Sequence, residues 1–106
     1  MNEKILSFLG LARRAGRLAP GHDAAIESIV KNKAQLCVLC LDASERLERE
    51  IRHACSYGGK NIPVIKSGFS AGELSKAIGT KAAVVSVNDE GFSKKLLSMF
   101  EQVTAD

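Results

Sequence analysis

The chain has 106 residues, 45% of them hydrophobic and 25% charged, with a formal net charge of +3. That length suits one domain, residues 1–106, with a single core, and the composition is that of an ordinary soluble globular protein. The longest apolar run, Leu36–Leu41, falls far short of the roughly 20 residues a membrane helix needs, so no membrane span or signal peptide is expected.

So small a charge permits an anionic partner without demanding one, but its distribution is uneven. Residues 1–18 set Lys4, Arg13, Arg14 and Arg17 against Glu3; residues 58–84 set Lys60, Lys66, Lys76 and Lys81 against Glu73; residues 85–106 are net acidic. Two separated basic segments are thus available for a fold to bring together. The three cysteines are odd in number and lie in apolar surroundings, which suits a reducing cytoplasm rather than a disulfide scaffold.

In chain order, the first helix is expected over residues 3–15, with Ile5, Phe8, Leu9 and Ala12 on one face. Pro20-Gly21 then reads as a turn that opens directly into a second helix, buried through Ala25, Ile26, Ile29 and Val30. The first amides of that helix lack partners within it and stand beside a glycine that blocks nothing, a geometry that attracts phosphate. The plainer reading is a capped helix start after a solvated basic segment. Ala34–Leu41 is a strand buried on both faces. Asp42-Ala43-Ser44 starts a third helix with Leu47, Ile51, Ala54 and Cys55 inward, and with Glu45–Arg49 and Glu48–Arg52 as outer pairs. Tyr57–Asn61 ends it.

Ile62–Ile65 is a second strand, which Pro63 places at an edge or a strand start. After the loop Ser67–Gly72, a short helix over Glu73–Ile78 stops at Gly79. Ala82–Val87 is a third buried strand. The last helix, near residues 89–103, buries Phe92, Leu96, Met99, Phe100 and Val103. The alternation predicts an α/β fold, a three-layer α/β/α sandwich with a small mixed sheet between helices.

Catalytic and metal chemistry find little support. Cys37 and Cys40 have a redox or zinc spacing, but i and i+3 on a strand point to opposite faces. No second Cys pair or histidine cluster completes a metal site, and Gly79-Thr80-Lys81 lacks the glycine spacing of a P-loop. His53 reads as a surface histidine. His22 stands at the organising turn, placed to stack on a base or donate to a phosphate, although a lone turn histidine is more often structural. Asp42 and Asp89 read as helix caps or first-turn acids. No enzyme activity, metal or cofactor is expected.

A binding module remains. Gly21 opening a helix, the strand Leu36–Leu41 ending in Asp42-Ala43, Lys60-Asn61-Ile62-Pro63, Glu73–Gly79 and Ala82-Ala83 follow one another in a familiar order. Together they resemble the kink-turn RNA-binding ribosomal-protein superfamily of the L-seven-Ae and L-thirty-e type. The opening Gly10–Arg17 is similar to that of its small bacterial YlxQ-like branch. The resemblance covers nearly the whole chain. It implies a non-catalytic protein whose glycine-opened helix enters the widened groove of a kinked RNA, while a later apolar loop packs on the bulge bases. Gly21, His22 and Asp23 would lie at the first element, and Gly79, Thr80, Lys81 and Ala82 at the second. Lys31 and Lys76 match basic family positions, and the two elements suit phosphate holding plus readout of shape and unstacked bases.

The family signature Gly-x-Asn-Glu-x-x-Lys is altered here. Asp23 replaces the Asn, Ala24 the Glu and Glu27 the Lys. Two carboxylates suit a helix start yet face incoming phosphates. Arg13, Arg14 and Arg17, close in sequence, are the expected electrostatic compensation. The expected partner is structured RNA, ribosomal or otherwise kink-turn-like, in the cytoplasm and on or off the ribosome, with the protein a monomer and neither membrane nor small-molecule substrate involved. The alternatives are a protein-interaction module of a translation complex, a redox protein, or the detached substrate-recognition domain of an RNA-modifying enzyme. With only four Phe and one Tyr, a broad single-strand stacking platform is not expected.

Overall fold

A computed structural model describes residues 2–104. Two short strands that are buried along their whole length, β2 (Leu36–Leu39) and β4 (Val84–Val87), pair antiparallel from Leu36↔Val87 to Leu39↔Val84. β1 (Leu18–Pro20) adds antiparallel to the free side of β4, and β3 (Val64–Lys66) adds parallel to the free side of β2, giving the order β1-β4-β2-β3. Alternation of side chains along β2 then builds two cores. Leu36, Val38 and Cys40 face one layer, with Ile5 and Leu9 of α1 (Asn2–Arg14), Leu74 of α4 (Ala71–Ile78) and Leu96 of α5 (Glu90–Thr104). Cys37 and Leu39 face the other, with Ala25 and Ile29 of α2 (His22–Val30) and Ile51 and Cys55 of α3 (Glu45–Ser56). The α/β/α sandwich is thus the observed fold, and Cys37 and Cys40 do point to opposite faces. Pro63 enters an edge strand, as its missing N–H requires.

Five local expectations are corrected. The segment before Gly21 is not simply a turn: Leu18, Ala19 and Pro20 are extended and paired to Val87, Ser86 and Val85, and the chain turns only at Gly21. A three-residue strand carries no readable period, so the sheet has four strands where three were expected. Val30 is 65% exposed, because Ser28 takes the inward position; its carbonyl accepts from Lys33 and Ala34, and its hydroxyl accepts from Asn88 Nδ2. The outer face of α3 pairs Arg46 with Glu50 and Arg52 with Glu48; among the described residues Glu45 and Arg49 form no ion pair. Asp42 caps a different helix from the one it precedes: its carboxylate accepts from the amide of Ala71, while Ser44 caps α3. α4 starts at Ala71, two residues early, because Ser70 and Glu73 form a capping box. Asp89 caps α5 as expected, accepting from Phe92.

Gly10 lies where α1 crosses α4, and a Cβ there would stand 2.7 Å from the carbonyl oxygen of Ala77. Backbone cannot swing aside as a side chain can. Gly10→Ala gains about 1 kcal/mol of helix propensity and loses about 1–3 kcal/mol to overpacking. The clash with backbone sets the sign: urea denaturation should show a net loss of up to about 2 kcal/mol, and an unchanged midpoint would mean that α4 yields freely.

Candidate functional site

β1, β2 and β3 end, and β4 begins, at one end of the sheet. The hydrogen bonds there knit their loops together. Gly21 N–H donates to Val84 O (2.8 Å), Cys40 N–H to Ala83 O (2.9 Å), Leu41 N–H to Phe69 O (2.8 Å) and Ser67 N–H to Leu39 O (2.8 Å). The start of α2 and the start of β4, into which the segment from Gly79 to Ala83 leads, are therefore neighbours although some 60 residues apart. α2, α3 and α4 all begin at this end. α3 is capped by the Ser44 hydroxyl and α4 by Ser70 and Asp42, whereas α2 starts at Gly21 (φ 95°) with no side-chain cap. Of the three, α2 leaves its first amides open to a ligand.

Each residue singled out from the sequence has a definite place. His22 is exposed and held by two carboxylates, with Nε2 2.6 Å from Glu50 Oε2 and Nδ1 3.0 Å from Asp23 Oδ1. The hydrogen bonds to Asp23 and Glu50 raise its pKa above the ordinary value. Glu50 also accepts from Arg46, and Arg46 and His22 together hold its carboxyl below the usual carboxylate range. Gly79 closes α4 in the left-handed conformation (φ 77°). Thr80 is half-buried, and Lys76 and Lys81 are exposed. Ala82 differs from its expected place: it is 6% exposed within the core beside α4, and its amide donates to Ser75 Oγ (3.2 Å). The accessible part of this loop is Gly79–Lys81.

The four other basic residues do not join them. Arg13, Arg14 and Arg17 lie where α1 ends and β1 begins, and Lys31 lies past the far end of α2. Asn88, just after β4, donates to the Arg17 carbonyl (2.9 Å), which fixes Arg17 at the opposite end of the sheet. Four steps of extended chain, about 13 Å, separate it from Gly21. Nearness in sequence was misleading because β1 intervenes. Along the outer face of α2, Glu27 pairs with Lys31 (2.7 Å), and this partner holds the Glu27 carboxyl below its usual range. One of the two unexpected acids is thus partly neutralised from within the helix; Asp23 leans on His22.

Two residues of this end escaped sequence reasoning. Glu50, 28 positions from His22, carried no signal. Leu41 closed an apolar run and so read as buried, yet it is 58% exposed beside the Gly79–Ala83 segment. The cysteines stand apart from the site. Cys37 and Cys55 meet across the α2–α3 core, sulfurs 3.7 Å apart, and the nearby Cys55 sulfur together with burial pushes the Cys37 thiol up. Burial pushes Cys40 up to about 12. Among the described residues no three His, Cys, Asp or Glu gather as metal ligands, and no helix is long and apolar enough to cross a membrane.

Comparison with known proteins agrees with the fold. Residues 3–97 match the family model of the ribosomal protein L7Ae/L30e/S12e/Gadd45 family. The RNA-binding protein YlxQ of Enterococcus faecium is 32% identical over 99 residues, 93% of each chain. That of Bacillus subtilis (strain 168) is 36% identical over 95 residues, 89% of this chain and 92% of its own. A protein of unknown function from Bacillus halodurans superposes with a TM-score of 0.84 at 33% identity, covering 92% of this chain and 97% of its own. The 15.5kD RNA binding protein of Giardia lamblia shares the fold alone, with a TM-score of 0.75 at 19% identity over 98% of this chain and 88% of its own. With a family match over nearly its whole length and relatives above 30% identity, the chain belongs to the ribosomal protein L7Ae/L30e/S12e/Gadd45 family, in its YlxQ-like branch.

Proposed function

We propose that the protein is a non-catalytic, single-domain RNA-binding protein that recognises kink-turn-like RNA through the loop end of its sheet. The observation that carries this reading is the uncapped α2 start at Gly21, hydrogen-bonded to Val84, the first residue of the strand into which the Gly79–Lys81 loop leads. The open amides of α2 and the ammonium groups of Lys76 and Lys81 would hold phosphates. Thr80 and the exposed Leu41 would offer apolar contact to unstacked bases, which duplex RNA does not present. Membership of the family and the RNA-binding names of the YlxQ relatives support RNA as the partner. His22 would face the RNA as a cation when protonated, which offsets Asp23 beside it.

The test is direct binding to a short kink-turn RNA and to the same RNA with its tandem G·A pairs replaced by Watson–Crick pairs. Binding should fall tenfold or more with the replacement. Equal affinity for both would remove kink-turn selectivity, and no binding to either would move the function to a protein partner.

His22 gives a second test. Ring-proton titration by NMR should place its pKa above 6.5, and Glu50→Gln should bring it back toward 6.5. Because the folded value is raised, the stability His22 lends is complete below the unfolded value of 6.5 and is lost as pH rises through the folded value. RNA affinity should weaken over the same rise, and His22→Gln should flatten both dependences.

A further inference from the structure

We propose that the end of the sheet opposite Gly21 is a second nucleic-acid contact, directed at the phosphodiester backbone of RNA. Here Arg17 precedes β1, Asn88 follows β4, Gln35 precedes β2 and Lys60 leads into β3, so that four polar or basic residues cross the sheet in strand order. Arg17, Lys33, Asn32, Gln35 and Asn88 line one polar recess of about 460 Å³. Lys60 reaches it from the other side, donating to the Asn32 side chain. Arg13 and Arg14 are drawn in by the turn that ends α1, in which Gly16 N–H donates to Arg13 O and Arg17 N–H to Ala12 O.

The charge at this end is lopsided. Arg13, Arg14, Arg17, Lys31, Lys33 and Lys60 face three carboxylates: Glu27 is held by Lys31, Glu90 by Lys94, and Asp89 lies 3.9 Å from Arg17 while capping α5. Among the described residues Arg13, Arg14 and Lys33 form no ion pair, and Lys60 bonds only a neutral amide. Cations at the ends of α1 and α2 do suit those helix dipoles. Lys60 likewise closes the 3-10 turn Tyr57–Gly59 that continues α3, but the dipole explanation does not extend to the amide side chains between the cations. Three inter-strand spacings, about 14 Å, separate Arg17 from Lys60, a width that spans several backbone charges rather than one free anion. At the margin, Tyr57 is 67% exposed beside His53 (ring centroids 5.5 Å apart), an aromatic face open to a base.

The experiment uses the full chain and a short blunt RNA duplex without bulge or G·A pairs, so that its outcome does not depend on kink-turn recognition. Arg17→Gln/Lys33→Gln/Lys60→Gln should weaken duplex binding at low salt by tenfold or more. It should also cut the slope of log affinity against log salt by about 2–3, at about 0.9 per lost phosphate contact. Lys33→Gln/Lys60→Gln, which spares the Arg17–Asp89 contact at α5, should give an intermediate loss with an unchanged melting temperature. An unchanged slope in the triple variant would overturn the second contact. Release of the duplex by inorganic phosphate at equal ionic strength would overturn the extended-backbone reading in favour of a lone anion.

Discussion

Everything in this fold hangs on the antiparallel pairing of β2 with β4. Four residues on each side, all buried, are too few to stabilise a sheet alone. They persist because both faces are covered, α1, α4 and α5 on one and α2 and α3 on the other. The same pairing decides which loops meet. β4 runs against β1, β2 and β3, so the end where the other three finish is the end where β4 starts. Gly21 and Val84, the residue into which the Gly79 loop leads, become neighbours for that reason alone, and Arg17 and Asn88 become neighbours at the other end.

The fold class was legible because the signals were periodic. Continuous apolar runs at Leu36–Leu41 and Ala82–Val87 read as doubly buried strands, and the spacing of Ile5, Leu9 and Ala12 read as a helix. β1 was not legible: three residues cannot show a period, and its Pro20 argues against a strand unless the edge position is already known. The cap of α4 is written locally in Ser70-x-x-Glu73, which starts the helix inside the expected loop Ser67–Gly72. At the candidate site, Gly21 and the Gly79 loop were readable as backbone chemistry. The partners Glu50 for His22 and the Ala71 amide for Asp42 were not, since a group 28 or 29 residues away leaves no local trace.

Helix polarity explains how charge is sorted between the two ends. α2, α3 and α4 begin at the loop end, where Asp23, Asp42, Glu45 and Glu73 accompany their positive poles. α1 and α2 finish at the other end, beside Arg13, Arg14, Lys31 and Lys33. A surface that is stabilising for each helix thus becomes two surfaces of different character for any polyanion. At the loop end the attraction comes from amides and a few cations set among acids, which favours fit over bulk charge. At the basic end attraction is less conditional on shape.

The two prolines of the chain occupy the two borders of the sheet. Pro20 lies within β1, between Ala19 and Gly21; since the Gly21 N–H turns inward to β4, the Pro20 nitrogen turns outward, where a further strand would look for a donor. Pro63 opens β3 at the other border, whose last residue, Lys66, is tied by its ammonium group to Glu48. Both borders are three residues long. A second chain seeking to continue the ladder finds a missing N–H at one side and a charged, brief stretch at the other, so the sheet is built to resist edge-to-edge growth when the protein is crowded.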